Sequence, residues 1–118
     1  MPRYSRPKIP SSTERAISVF SNSTKVAIVG YLAKSGPATR GEVAKGLEIA
    51  VPTAQNNLVQ LEAEGVLMAD PPASEERNGQ RVKYTVDAEE VARRYSILGR
   101  ALGFDEDLPG HLSLTEES

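Results

Sequence analysis

The chain has 118 residues, of which 39% are hydrophobic and 25% charged, values typical of a single globular domain. It contains no cysteine, which excludes disulfide bonds, thiolate metal sites and cysteine nucleophiles and suits the cytoplasmic location that we expect. No apolar run approaches the roughly 18 residues of a membrane span, and the N-terminus lacks the apolar core of a signal peptide. The net charge of −2 argues against a protein that binds polyanions through bulk positive charge alone.

The charges are distributed unevenly along the chain. Residues 1–10 are basic and rich in proline, which predicts a flexible arm. Residues 104–118 contain five acidic and no basic residues, which predicts a disordered acidic tail. The remaining residues, 11–103, are predicted to form the folded domain, and this body carries no net charge.

Two helices are predicted first. The capping-box spacing of Ser11 and Glu14 predicts a helix that runs to about residue 20. Its apolar face is expected to comprise Ala16, Ile17 and Phe20. A second helix is predicted over residues 24–34, and Gly36-Pro37 ends it.

Residues 39–65 have the pattern of two helices joined by a tight turn. Thr39 and Glu42 form a second capping box, followed by a helix of about two turns. The turn at 48–50 leads into a longer helix, about 52–64, with Pro52 in its first turn and Gly65 at its end. Three apolar residues of the longer helix are expected to face the core: Ala54, Leu58 and Leu61.

A β-hairpin and a last helix follow. Val66–Asp70 begins a strand, and residues 81–86 alternate between apolar and polar side chains, as a half-buried strand does. The loop between them contains an Asn78-Gly79 turn. Asp87 and Glu90 form a third capping box, and the helix after it is predicted to reach about Leu102.

This order describes a mainly α protein with a small β-hairpin, a winged helix-turn-helix with an added C-terminal helix. The stretch from Phe20 to Val86 resembles bacterial transcriptional regulators of the ArsR type, or more broadly the MarR/ArsR type. The motifs that carry the resemblance are SNSTKVAIVGYLAKSG, TRGEVAKGLEIAVPTAQNNLVQLEAEGVL and RVKYTV. It implies a sequence-specific regulator of transcription that binds double-stranded DNA, most simply a homodimeric repressor.

The helix at 52–64 is expected to present a polar face to base edges. Asn and Gln side chains can pair with adenine in the major groove, and Thr can contact the methyl group of thymine. The candidate base contacts on this helix are Thr53, Gln55, Asn56, Asn57 and Gln60. The alternative is that this face is merely solvated.

Basic and polar groups near this helix are candidate phosphate or minor-groove contacts. The hairpin contributes Arg77, Asn78, Gln80, Arg81 and Lys83. The preceding helices contribute Arg40, Lys45 and Lys25. For the hairpin residues, an ordinary surface loop is the alternative interpretation.

The last helix is the predicted dimerisation element. Its apolar residues are spaced like a coiled-coil seam: Val91, Tyr95, Leu98 and Leu102. Ile17 and Phe20 of the first helix are expected to pack beside it. The alternative is that the last helix covers only its own domain, but ArsR-like proteins dimerise through these terminal helices, so the resemblance favours a homodimer.

Enzymatic activity is not expected. The single histidine, His111, lies in the tail, and no catalytic triad, phosphate-binding loop or paired-carboxylate site is apparent. Metal-sensing ArsR members use cysteines, or carboxylate and histidine pairs, that this chain lacks, so we expect no metal and no cofactor. Two other functions stay open. The neutral body and the acidic tail favour a winged-helix protein-interaction module, and the amide-rich helix face argues against an architectural module in a larger nucleoprotein assembly.

Overall fold

The computed structural model describes residues 8–72 and 81–104. This part of the chain is mainly helical and also contains a small antiparallel sheet. Its elements, in chain order, are α1 Ser11–Phe20, α2 Ser23–Ser35, β1 Ala38–Thr39, α3 Arg40–Leu47, α4 Val51–Ala63, β2 Leu67–Asp70, β3 Lys83–Val86 and α5 Ala88–Ala101. The predicted fold class, a winged helix-turn-helix with an added C-terminal helix, is confirmed.

The sheet connects the helix-turn-helix to the hairpin. Its strand order is β1-β3-β2, and both pairings are antiparallel. Ala38 lies opposite Tyr84, and Tyr84 lies opposite Ala69 on the other side. The sequence did not predict β1, because two residues are too few to show an alternating pattern. This short strand places the start of α3 directly beside the base of the hairpin.

The core lies between α2, α3, α4 and the sheet. The three apolar residues of α4 that were predicted to face inward, Ala54, Leu58 and Leu61, are completely buried. They pack with buried side chains of the other elements: Ile28, Leu32, Val43, Val66 and Tyr84. Because α4 buries one stripe, its opposite side is fixed toward solvent.

The start of α1 differs from the prediction. Pro10 occupies the N-cap position without a side-chain cap, and Ser11 is the first helical residue. The buried residues of α1 are Thr13, Ala16 and Val19, whereas Ile17 is exposed. The predicted capping box was therefore wrong, and so was the inward position of Ile17, because α1 packs through residues spaced by three that include a threonine. Ala16 is buried and Phe20 packs against the core, as predicted.

The start of α3 is capped as predicted. The Thr39 hydroxyl accepts a hydrogen bond from the Glu42 backbone N–H at 3.2 Å, and the Glu42 carboxylate accepts one from the Thr39 backbone N–H at 2.8 Å. That backbone hydrogen bond is the main cause that lowers the pKa of Glu42, and the nearby charges of Lys83 and Arg81 lower it further. The cap therefore fixes the backbone from which Arg40 extends.

Helices α2 and α3 approach each other closely at a glycine. A Cβ atom at Gly46 would lie 2.4 Å from Cε1 of Tyr31, which is much closer than two non-bonded carbon atoms can approach. Glycine at this position lets the tyrosine ring pack on α3, where its hydroxyl reaches the Glu42 carbonyl at 3.5 Å.

The described part of the chain has no helix long and apolar enough to cross a membrane.

Ser11 and Thr39 lie at the starts of α1 and α3, and replacing each by alanine gives a matched pair of predictions. Thr39→Ala removes a real cap and should lower the free energy of unfolding by about 0.5–2 kcal/mol. Ser11→Ala removes no cap and should change it by less than about 0.5 kcal/mol. Urea denaturation followed by circular dichroism measures both, and an equal loss in the two variants would contradict the assigned helix starts.

Candidate nucleic-acid interface

The outer side of α4 carries the predicted amide-rich face. Thr53, Asn56 and Gln60 are exposed, and Gln55 and Asn57 are half-buried at its margins. No acidic residue lies in the first turn of α4. A negatively charged ligand at this end of the helix would therefore meet the positive end of the helix dipole and no opposing carboxylate.

Two of the amide side chains have intramolecular partners that fix their orientation. Arg40 Nη1 donates a hydrogen bond to Gln55 Oε1 at 2.9 Å, which joins the first residue of α3 to α4. Asn57 Nδ2 donates to the backbone carbonyl of Thr53 at 2.9 Å. Since arginine has only donors and a carbonyl only accepts, the chemistry itself determines which amide atom faces each partner.

The basic groups next to α4 come from α3 and the hairpin. Arg40 and Lys45 are exposed on α3, and Arg81 and Lys83 are exposed at the base of the hairpin. Lys83 lies opposite Thr39 in the sheet, so the hairpin base adjoins the start of α3. Arg40, Arg81 and Lys83 therefore extend from neighbouring parts of the backbone, and all four basic residues stay candidate phosphate contacts.

Lys25 does not belong to this set. Its side chain is buried, with 8% of the residue exposed, and its Nζ atom lies 3.6 Å from Glu64 Oε2. If the Lys25 side chain turned outward to a phosphate, the Glu64 carboxylate would lose this ion pair. The prediction that Lys25 contacts phosphate is therefore corrected: it has a structural ion pair instead.

The tip of the hairpin was predicted to contact DNA through Arg77, Asn78 and Gln80. These residues lie outside the described part of the chain. Their contacts stay predictions.

A cluster of charged residues, which the sequence did not predict, holds the end of α4 against α1 and α5. Its centre is Arg94 of α5, a residue with only 6% exposure. Arg94 Nη1 donates to Glu64 Oε1 at 3.0 Å and to the Arg15 carbonyl at 3.1 Å, and Nη2 donates to the Glu64 carbonyl. Glu64 directly follows α4, so one guanidinium group joins three helices. We call Glu64, Arg94 and their partners the Glu64–Arg94 cluster.

The remaining partners balance the charge of this cluster. Ser18 Oγ donates to Glu64 Oε1 at 2.9 Å, and Lys25 pairs with the other carboxylate oxygen. Arg94 Nε donates to Glu90 Oε2 at 2.7 Å. Hydrogen bonds from Arg93 and then Arg94 lower the pKa of Glu90 to about 2, so this carboxylate is charged at neutral pH.

Among the described residues, no group of three or more His, Cys, Asp or Glu side chains could hold a metal ion.

The Glu64–Arg94 cluster predicts a large cost for removing Arg94. Arg94→Met keeps the length of the side chain but leaves two carboxylates without their shared partner, so the free energy of unfolding should fall by about 3 kcal/mol. Arg94→Lys should recover little of this, because an ammonium group cannot make the same forked set of hydrogen bonds. Chemical denaturation measures both, and a loss below about 0.5 kcal/mol for Arg94→Met would contradict a structural role.

The predicted dimerisation residues divide into two groups. Phe20 and Val91 pack against the domain's own core, and Phe20 also makes an edge-to-face contact with Tyr95 at 6.4 Å between ring centroids. By contrast, Tyr95 is 48% and Leu102 69% exposed on α5, and Ile17 is exposed on α1. Leu98 belongs to neither group and is half-buried. Phe104, just after α5, is also exposed.

Solved structures similar to this one are winged helix-turn-helix transcription regulators. The antimony-specific transcriptional repressor AntR matches with a TM-score of 0.59 and 22% identity, over 78% of this chain and 75% of AntR. A homodimeric winged helix-turn-helix DNA-binding domain from Mycobacterium bovis, a possible ArsR-family regulator, matches with a TM-score of 0.56 and 24% identity, over 78% and 79% of the two chains. An ArsR family transcriptional regulator matches with a TM-score of 0.58 and 19% identity, over 96% and 99%.

These similarities establish the fold that the sequence pattern predicted. No protein-family model matches the chain. No curated protein is significantly similar to it in sequence. The structural neighbours are transcription regulators and not enzymes, and at these identities they define the class of fold: the winged helix-turn-helix found in ArsR-family regulators.

Proposed function

We propose that this chain is a homodimeric, sequence-specific DNA-binding protein that represses transcription. The observation that carries the proposal is the outer side of α4, where uncharged amide side chains are exposed and Arg40 of α3 donates a hydrogen bond to Gln55. Amides select among base edges, whereas basic groups bind phosphates of any sequence. A surface that combines both suits recognition of a particular DNA sequence.

In this mechanism α4 enters the major groove. Thr53, Asn56 and Asn57 contact base edges, and Gln55 and Gln60 extend the contact along the helix. Lys45 of α3 and the hairpin residues Arg81 and Lys83 bind phosphates, and Arg40 holds Gln55 through its hydrogen bond. Since the chain carries a net charge of −2, affinity rests on these few contacts and should fall steeply as salt rises.

The exposed apolar residues of α1 and α5 support a homodimer. Ile17, Tyr95 and Leu102 would leave an apolar surface in water if the domain were alone. A two-fold dimer through these helices would present two copies of α4 to half-sites about one DNA turn, roughly 34 Å, apart. A dimer that covers a promoter in this way would block transcription by occupying it.

The neutral body also favours a second candidate, a winged-helix module that binds another protein in a larger assembly. Such a module would use the same α4 surface for a protein partner and would not distinguish one duplex from another. The two functions therefore differ in a simple observable, which is selection of particular DNA sequences from a random pool at physiological salt.

The amides of α4 supply the main prediction. The double variant Asn56→Ala/Asn57→Ala should lose preference for the selected sequence by about tenfold or more, because each well-placed amide contributes about 1–3 kcal/mol of discrimination. Weak binding to unrelated DNA should stay, since the phosphate contacts are intact. Fluorescence anisotropy with the selected and a scrambled duplex measures both affinities.

Glu89→Ala, at an exposed site on α5, is the control and should leave both affinities unchanged. Sequence-specific binding is contradicted if the wild-type protein enriches no sequence, or if the double variant keeps the full preference.

The dimer is tested separately from DNA binding. Tyr95→Glu and Leu102→Glu place a carboxylate on the exposed apolar surface and should convert a dimer to a monomer in sedimentation velocity. Met68→Glu introduces the same charge at an exposed apolar residue of β2 and should leave the dimer intact. A wild-type protein that sediments as a monomer at micromolar concentration would overturn the dimer.

A further inference from the structure

The hydrogen bond between Arg40 and Gln55 changes what α4 can recognise. The bond joins Arg40 Nη1 to Gln55 Oε1, so the carbonyl oxygen of this amide faces the guanidinium group. Because one amide carries both an oxygen and a nitrogen, fixing the oxygen toward Arg40 directs the NH₂ group elsewhere. The pair then offers the two hydrogens of Gln55 and the unused donors of Arg40.

The backbone around Arg40 supports a persistent pair. Arg40 directly follows Thr39, which both caps α3 and belongs to β1, so its starting point is held by a capping box and by the sheet. The Glu42 carboxylate, two residues along α3, already accepts a hydrogen bond from the Thr39 backbone N–H. Gln55 sits in the second turn of α4, directly before the exposed Asn56.

A surface made mainly of hydrogen-bond donors matches guanine best among the bases in the major groove. Guanine presents two acceptors there, N7 and O6, whereas adenine presents one acceptor and one donor, its N6 amino group. A free glutamine pairs with adenine by using its oxygen and nitrogen together. Arg40 takes one of the two lone pairs of that oxygen and brings its own N–H groups next to it. An adenine amino group at this place would therefore meet donors, which disfavours the bidentate pairing.

We propose that Arg40 and Gln55 act as one recognition unit that selects guanine at the base pair it faces. This inference rests on the proposed function, since it specifies the base that one part of the DNA-binding surface prefers. It also gives Arg40, which the sequence indicated only as a candidate phosphate contact, a part in specificity. Asn56 next to it keeps the ordinary amide preference for adenine.

The experiment is selection of bound duplexes from a random pool by the wild-type protein and by three variants, each first shown by circular dichroism to be folded. Gln55→Ala identifies the base pair that the unit faces, as the position where preference disappears. At that position the wild-type protein should prefer guanine over adenine by about five- to a hundredfold. Arg40→Ala frees the Gln55 oxygen and should change the preferred base there from guanine to adenine.

Asn56→Ala is the matched control and should alter a different base pair while guanine stays preferred at the first. The inference is overturned if the Gln55 position prefers adenine in the wild-type protein. It is also overturned if Arg40→Ala weakens binding to all sequences equally without changing the preferred base, which is the behaviour of a phosphate contact. If the wild-type protein enriches no duplex, the proposed function itself fails, and this inference fails with it.

Discussion

The fold depends on one buried guanidinium group. Arg94 joins the end of α4 to α1 and α5 through Glu64 and the Arg15 carbonyl. A buried arginine is costly unless every donor finds a partner, and here the carboxylates of Glu64 and Glu90 compensate for the lost water. Because these contacts are directional, they hold the end of α4 in place against α1 and α5, while the buried stripe of α4 directs its polar side to solvent.

The same contacts link the two surfaces that the proposed function requires. The terminal helices expose Ile17, Tyr95 and Leu102 and also contact Glu64. The terminal helices and the end of the helix that would enter DNA are therefore joined by one set of hydrogen bonds. At the opposite end, the capping box of α3 and the Arg40–Gln55 hydrogen bond hold the start of the same surface.

The sequence predicted the elements well wherever local chemistry determines them. The Thr39–Glu42 box, the stripe of Ala54, Leu58 and Leu61, and the alternation around Tyr84 each required only neighbouring residues. The sequence did not predict contacts between distant residues, because no pattern near Lys25 or Arg94 in the chain indicates that Glu64 is their partner. The only local signal was the spacing of four between Glu90 and Arg94, which suggests an ordinary surface ion pair. Similarly, β1 exists only because β3 lies beside it.

The central claim is that the outer side of α4 contacts base edges. The most direct test is nuclear magnetic resonance of the side-chain NH₂ groups during titration with the duplex selected from a random pool. The account predicts large shifts for Gln55, Asn56 and Asn57 and none for Asn22, whose amide caps α2. Unchanged signals on α4 while the duplex binds, or equal shifts at Asn22, would contradict it.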